Sequence, residues 1–212
     1  MANLETVGSD PCYLENLYVK DVYDKIGDNF SHTRHSTWPG VREFIMSLPE
    51  NSMVLDAGCG NGKNMQIRKS IDIIGCDLSE TLLEICKDKG LNVVKANIID
   101  LPFKNESFDA VICIAVLHHL STYERRQLAF NELFRVVKPG GKIYIEVWAY
   151  EQKLSKKFIS VENTDKDYFV TWDNKYKRFY HLFDKDEMIK MFSPMNADIE
   201  YTKDNWVAIL TK

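Results

Sequence analysis

Apolar residues fall along this chain in two rhythms. Leu14, Leu17, Tyr18, Val22 and Ile26 recur at three- to four-residue steps, which predicts an amphipathic helix over 14–29 lying on a sheet. Residues 28–39 show neither the helical nor the strand period and read as a polar connecting segment, followed by a short helix that starts at Pro39. From there, short apolar runs at 54–57, 71–76, 91–96 and 108–115 alternate with helical patterns at 79–90 and 121–137, the first capped by Ser79 and stopped at Gly90. The run 108–115 is nearly continuous, as in a parallel strand buried on both faces. Pro139-Gly140-Gly141 is expected to break a helix and launch a strand over 142–149. Residues 150–178 lose all regular period and are expected to form an irregular basic insertion. A helix over 184–192 and a hairpin across Asp204-Asn205 give a reversed last strand. The expectation is a single α/β domain over 1–212 with helices on both faces, a helical N-terminal extension over 1–50 and the insertion at 150–178.

One stretch organises the rest. Val54-Leu-Asp-Ala-Gly-Cys-Gly-Asn-Gly-Lys63 reads as a buried strand running into a glycine-rich turn that opens a helix. Gly58, Gly60 and Gly62 leave the backbone bare for a ligand, and such a turn after the first strand of an open α/β sheet is where nucleotide-like cofactors bind. About twenty residues on, the second apolar run ends in Asp77, whose carboxylate suits two ribose hydroxyls. The turn spacing departs from the dinucleotide pattern, and Asp56 just before it repels a pyrophosphate but welcomes an ammonium group.

Composition narrows the classes. The 212 residues are 45% hydrophobic and 12% aromatic, which marks a globular chain. A net charge of −4 means that nucleic-acid binding needs a local basic patch or a partner. Lys153, Lys156, Lys157, Lys175, Lys177 and Arg178 are the expected patch. Cys12, Cys59, Cys76, Cys86 and Cys113 form no C-x-x-C pair, so no zinc site is expected and a reducing compartment is. The start of the chain lacks a signal-peptide pattern and no apolar run spans a membrane; a cytoplasmic protein is expected, with the nucleus as the second compartment.

The order acid, glycine-x-glycine, second acid resembles class I S-adenosylmethionine-dependent methyltransferases, a Rossmann-like fold. Phe30-Ser-His-Thr-Arg34 with Trp38-Pro39, Ile114-Ala-Val-Leu-His-His-Leu120, Arg125-Arg126, Val147-Trp-Ala149 and Arg178-Phe-Tyr-His-Leu-Phe183 are similar, more narrowly, to the eukaryotic tRNA wobble-uridine carboxymethyl methyltransferases. That resemblance implies transfer of a methyl group from S-adenosylmethionine to the carboxylate of 5-carboxymethyluridine in the tRNA anticodon loop. It also implies a heterodimer with a small zinc-binding methyltransferase activator protein, covering an apolar surface or edge near the third strand. Cofactor-binding residues would be Asp56, Gly58, Gly60, Asp77, Leu78, Asn97, Ile98 and Ile114. Two positions depart from the family pattern: Asn97 stands where an aspartate usually meets the adenine amino group, and Thr171 where a proline is usual.

The chemistry asks for alignment rather than proton transfer. A carboxylate with a pKa near 4 is ionised at neutral pH and attacks a sulfonium methyl without a general base, and holding two reactants in line supplies roughly 7–11 kcal/mol. The candidate residues at the reacting end are binders and stackers: Arg34 as the fork on the substrate carboxylate or an anticodon phosphate, His118 and His119 at the end of the central strand, Trp148 as a stacking face, and Arg178 and His181 returning toward the same mouth. Each has a plainer alternative, such as a surface ion pair for Arg34, a core aromatic for Trp148 or a structural hydrogen bond for His181. A small-molecule methyltransferase and a non-catalytic partner-binding module are the competing functions.

Overall fold

The computed structural model describes residues 10–33, 36–192 and 195–212. Its main sheet has seven strands: β1 (Met53–Ala57), β2 (Asp72–Asp77), β3 (Val93–Lys95), β4 (Phe108–Ile114), β5 (Val137–Trp148), β9 (Asp198–Thr202) and β10 (Asn205–Thr211), in the order β3-β2-β1-β4-β5-β10-β9. The first five run parallel, while β10 pairs antiparallel with both β5 and β9. The order reverses between β1 and β4, and that reversal opens a crevice at the carboxyl ends of the strands.

Strand alternation divides the core between two helical layers. Val54, Ala110, Ile112, Tyr144 and Val207 face α3 (Pro39–Ser47) through Val41, Phe44 and Ile45. Leu55, Val111, Cys113, Ile143, Ile145 and Ala208 face α5 (Tyr123–Val136) and α6 (Lys185–Phe192). The central strands are therefore apolar on both sides, which is why they read as continuous runs. Pairing of β5 with β4 already begins at Val137, so Pro139-Gly140-Gly141 lies inside an irregular strand start rather than before it.

Three expectations need correction. The glycine turn opens no α-helix; only a 3₁₀ turn, Asn64–Gln66, follows before β2. The N-terminal helix does not lie on the sheet. It consists of α1 (Pro11–Glu15), a π-helical turn (Asn16–Lys20) and α2 (Asp21–His32), and it packs on α4 (Glu80–Asp88) and on a second sheet. That second sheet is the largest surprise. Within the expected irregular stretch 150–178, and just beyond it, lie β6 (Phe158–Ser160), β7 (Asp167–Trp172) and β8 (Tyr176–His181), an antiparallel meander whose tight β7–β8 turn puts Asp173 and Asn174 at φ 50° and 53°. One face, with Tyr168, Val170 and Tyr180, meets Trp148; the other, with Phe169 and Phe179, meets Leu14, Tyr18 and Val19. Both faces are covered, so no polar alternation marks these strands.

Candidate active site

The end of β1 carries Asp56, fully buried. The chain then turns with Gly58 and Cys59 both donating their N–H groups to the Cys76 carbonyl, 2.8 and 2.9 Å away, which ties the turn to the end of β2. Gly58 sits at φ 81°, and a Cβ there would collide with Val116 from the β4 loop; a side chain would push the two central strand ends apart. Gly60, also at positive φ, has open space where a Cβ would be, and its N–H donates to Asp77 Oδ2 at 2.9 Å. The other oxygen of Asp77 accepts from Ser79 N–H at 3.0 Å. Burial pushes the Asp77 carboxyl upward against these donors. Burial pushes Asp56 further, to about 7, with Asn64 and the Lys63 charge opposing and Asp77 adding to the rise. Among the described residues neither oxygen of Asp56 takes a well-formed hydrogen bond.

A cavity of about 580 Å³ extends from this turn along the strand ends. On the β2–β3 side its wall is Asp77, Leu78, Asn97 and Ile98; Gly58, Gly60 and Ile114 form its middle; on the β5 side it meets His118, His119, Trp148 and Arg178. Asp56 lies beneath the turn rather than on this wall. Asn97 Oδ1 accepts from Ile99 N–H at 3.2 Å, an Asx turn that fixes its amide. The N-terminal helical segment roofs the cavity with Glu15, Asn16, Val19 and Tyr23.

The β5 side is built from cations, imidazoles and rings. His118 Nδ1 accepts the Trp148 backbone N–H at 3.3 Å, so its proton sits on Nε2. His119 has the other tautomer: Nδ1 donates to the Phe179 carbonyl at 2.7 Å and Nε2 accepts from the Tyr23 hydroxyl at 3.0 Å. Burial holds both rings neutral, driving His119 down to about 3 and His118 well below its ordinary value. Arg178 is 4% exposed, with its guanidinium 5.8, 5.1 and 5.3 Å from the ring centres of Tyr23, Trp172 and Tyr180. Among the described residues its one hydrogen bond is a long one, from Nη1 to the Tyr23 hydroxyl at 3.4 Å, and Nε has no partner there. Among the described residues no carboxylate pairs with it. Trp148 stacks on Tyr180 at 4.5 Å and 25°.

His118, His119, Trp148 and Arg178 are thus brought together, and two expectations fail. His181 does not reach the cavity. Residues an odd number apart on a strand face opposite sides, so with Arg178 and Tyr180 turned to the cavity, His181 turns away. Its Nδ1 bonds Asp167 at 2.6 Å and its Nε2 bonds Glu187 at 2.8 Å, and Glu187 in turn pairs with Arg126, joining β7 and β8 to α6 and α5. Arg178 leaves the surface patch for the interior; Lys153, Lys156, Lys157 and Lys175 remain exposed, and Lys177 is half-buried. Arg34 lies outside the described residues. Sequence reading missed Tyr23, Tyr180 and Trp172 as parts of the arginine's surroundings; the period-two spacing of Arg178 and Tyr180 was the available signal.

Comparison with known proteins agrees with this geometry. A family model described as a methyltransferase domain matches residues 55–145, the span from β1 to β5. The chain resembles the methyltransferase in a complex with the Haloferax volcanii Trm112 methyltransferase activator, at TM-score 0.69 and 17% identity, over 91% of this chain and 96% of that one. Fold and cavity define a class I S-adenosylmethionine-dependent methyltransferase. A tRNA (carboxymethyluridine(34)-5-O)-methyltransferase of Arabidopsis thaliana is 52% identical over 152 residues, 72% of this chain and 37% of that protein. Its counterpart of the same description in Schizosaccharomyces pombe is 36% identical over 224 residues, covering 93% of this chain and 97% of its own. The chain belongs to the tRNA (carboxymethyluridine(34)-5-O)-methyltransferase family. It spans well under half the length of the plant relative and nearly all of the fission yeast one.

Proposed function

We propose that this chain transfers the methyl group of S-adenosylmethionine to the carboxylate of 5-carboxymethyluridine at the wobble position of tRNA, giving the methyl ester. The observation that carries the reading is Arg178: a buried guanidinium with no acidic partner among the described residues, in the same cavity as the glycine turn and Asp77. An uncompensated buried charge costs several kcal/mol. Three aromatic faces offset part of that, at roughly 0.5–2 kcal/mol each, and an incoming carboxylate completes the site with a two-pronged, charge-assisted contact.

The residues also fit the cofactor. The buried oxygens of Asp56 without well-formed partners and the open space over Gly60 suit an ammonium-bearing adenosine ligand. Asp56 would face its ammonium through the turn, Asp77 would accept its ribose hydroxyls, and Leu78, Asn97 and Ile98 would hold the adenine. When bound it supplies an electrophilic methyl group on sulfonium. The chain's own work is alignment: Arg178 fixes the acceptor carboxylate, His118 presents Nε2–H as a donor to the uridine, and Trp148 with Tyr180 offers a stacking surface. Neutral imidazoles whose pKa values lie far below 7 are poor bases, and an ionised carboxylate needs none. Arg34 is proposed as a second anion contact, to an anticodon phosphate.

The exposed lysines Lys153, Lys156, Lys157 and Lys175 are proposed to meet the tRNA backbone, which makes binding fall steeply with salt. A small zinc-binding activator is proposed to cover β3. This edge strand leaves Val93 and Val94 half-buried, and the Haloferax relative of the fold is paired with an activator. A cytoplasmic location is proposed from five free cysteines. Mass spectrometry of tRNA nucleosides after incubation with S-adenosylmethionine, with and without an activator, tests the proposal. The methyl ester of carboxymethyluridine is the expected product. Equal methylation of free small carboxylic acids would favour a metabolite enzyme instead.

A further inference from the structure

Resting on the cofactor reading above, we propose that Glu15 is the latch of a helical roof that controls exchange of the adenosine cofactor. The roof, from α1 through the π-helical turn to α2, contributes Cys12, Glu15, Asn16, Val19 and Lys20 to the same cavity as Asp77, Leu78, Asn97 and Ile98. A ligand held against those strand ends is therefore covered on one side by this segment.

Among the described residues the polar fastening of the roof near this end converges on one side chain. Glu15 Oε1 accepts from Ser121 N–H at 2.8 Å, from the Ser121 hydroxyl at 3.0 Å and from Arg125 Nε at 2.7 Å, while Oε2 accepts from Arg125 Nη2 at 2.6 Å. Both charged side chains are well sheltered, 11% and 17% exposed, so solvent screens this pair less than a surface pair. Ser121 and Arg125 flank the start of α5, on the fixed body of the fold. Behind the latch, α2 is bolted down independently: the Thr81 hydroxyl donates to the Asp24 carbonyl at 2.9 Å, and Gly27 lies flush against Thr81. Between bolt and latch lies the π-helical turn Asn16–Lys20. A π-turn inserts a residue into the helical ladder, weakens it locally and recurs at functional sites. The arrangement is an anchored helix, a π-turn footed on the second sheet by Tyr18 and Val19, and, among the described residues, one polar catch over the cofactor end. Asn16 and Val19 lie on the π-turn itself, so opening it uncovers the adenosine side while Tyr23 on α2 keeps its bond to His119.

The test is the dissociation rate of S-adenosylhomocysteine from the full chain by stopped-flow displacement, with hydrogen exchange of amides 11–20 as a second readout. Glu15→Gln is expected to speed dissociation about tenfold or more, from the loss of charge-assisted bonds. It should also speed exchange at 11–20 while β1 and β4 stay protected. Arg125→Lys, which keeps the charge and loses the fork, should give a smaller change in the same direction and serves if Glu15→Gln does not fold. Dissociation within twofold of wild type together with unchanged exchange in both variants overturns the latch. Should the wild-type chain bind no S-adenosylhomocysteine at all, the cofactor reading fails, while the exchange difference at 11–20 still decides whether Glu15 fastens the roof.

Discussion

The two ends of the cavity are built on opposite principles. The cofactor end is made by one contiguous piece of backbone: β1, the glycine turn and β2 bring Asp56, Gly58, Gly60 and Asp77 together within a single crossover, two acids with the Lys63 ammonium close by. The acceptor end is assembled from four separate elements. Tyr23 comes from α2, His118 and His119 from the loop after β4, Trp148 from β5, and Arg178 with Tyr180 from β8; among the described residues Arg178 has no carboxylate partner there. On the proposed function a cationic donor would sit at the first end and an anionic acceptor at the second, so that the polarity of the cavity would help to aim the reaction.

Breaking the acceptor end should have the largest effect. Arg178→Met is expected to lower methyl transfer to carboxymethyluridine tRNA by about 10²–10³-fold, since a charge-assisted pair in a dry site is lost. Cofactor affinity by calorimetry should stay within about twofold. Asp77→Ala breaks the other end: it removes the acceptor for Gly60 and Ser79 as well as for a ribose, and cofactor affinity should fall about 10- to 100-fold. Trp148→Leu should weaken use of the anticodon stem-loop about tenfold, the scale of one lost stacking surface, with cofactor binding unchanged.

A smaller effect sharpens the comparison through pH. Asp56 is pushed up to about 7 against an ordinary 3.8, so the folded state keeps its proton between those values. The stability contributed by this group therefore declines as pH rises through that window. The ionised form is the one that attracts an ammonium, so cofactor affinity should strengthen severalfold between pH 6 and about 7.5, and Asp56→Asn should flatten the profile. The acceptor-end imidazoles act in the reverse sense. Their folded values lie below 6.5, so their contribution to stability is lost as pH falls below that value. The mildest change is His181→Asn, which removes the bridge between Asp167 and Glu187; it should lower the melting temperature by a few degrees and leave transfer intact.

The same contrast explains what could be read from the sequence. The strand, turn and acid of the cofactor end are local, and strand spacing alone puts them in register. His118 and Trp148 were legible because the ends of β4 and β5 are where this topology binds ligands. The small sheet was not, because Tyr168-Phe-Val and Phe179-Tyr180 are apolar on both faces and carry no period. Arg178 looked like one more basic residue among lysines; only the closure of Tyr23, Trp172 and Tyr180 around it reveals an interior cation. His181 was placed beside it by proximity in sequence, where strand geometry turns neighbours three apart to opposite faces. The segment 28–39 seemed aperiodic although α2 continues to His32, because there Phe30 packs against Tyr23 and Trp172 rather than on the sheet.

The central claim is that Arg178 reads the charge of the acceptor. The direct test is binding of two anticodon stem-loops that differ only in carrying 5-carboxymethyluridine or 5-carbamoylmethyluridine, measured for the wild-type chain and for Arg178→Met. The account predicts that the wild type prefers the carboxylate by about tenfold or more, the scale of a charge-assisted bond, and that the variant loses the preference. An equal preference in both proteins would contradict it.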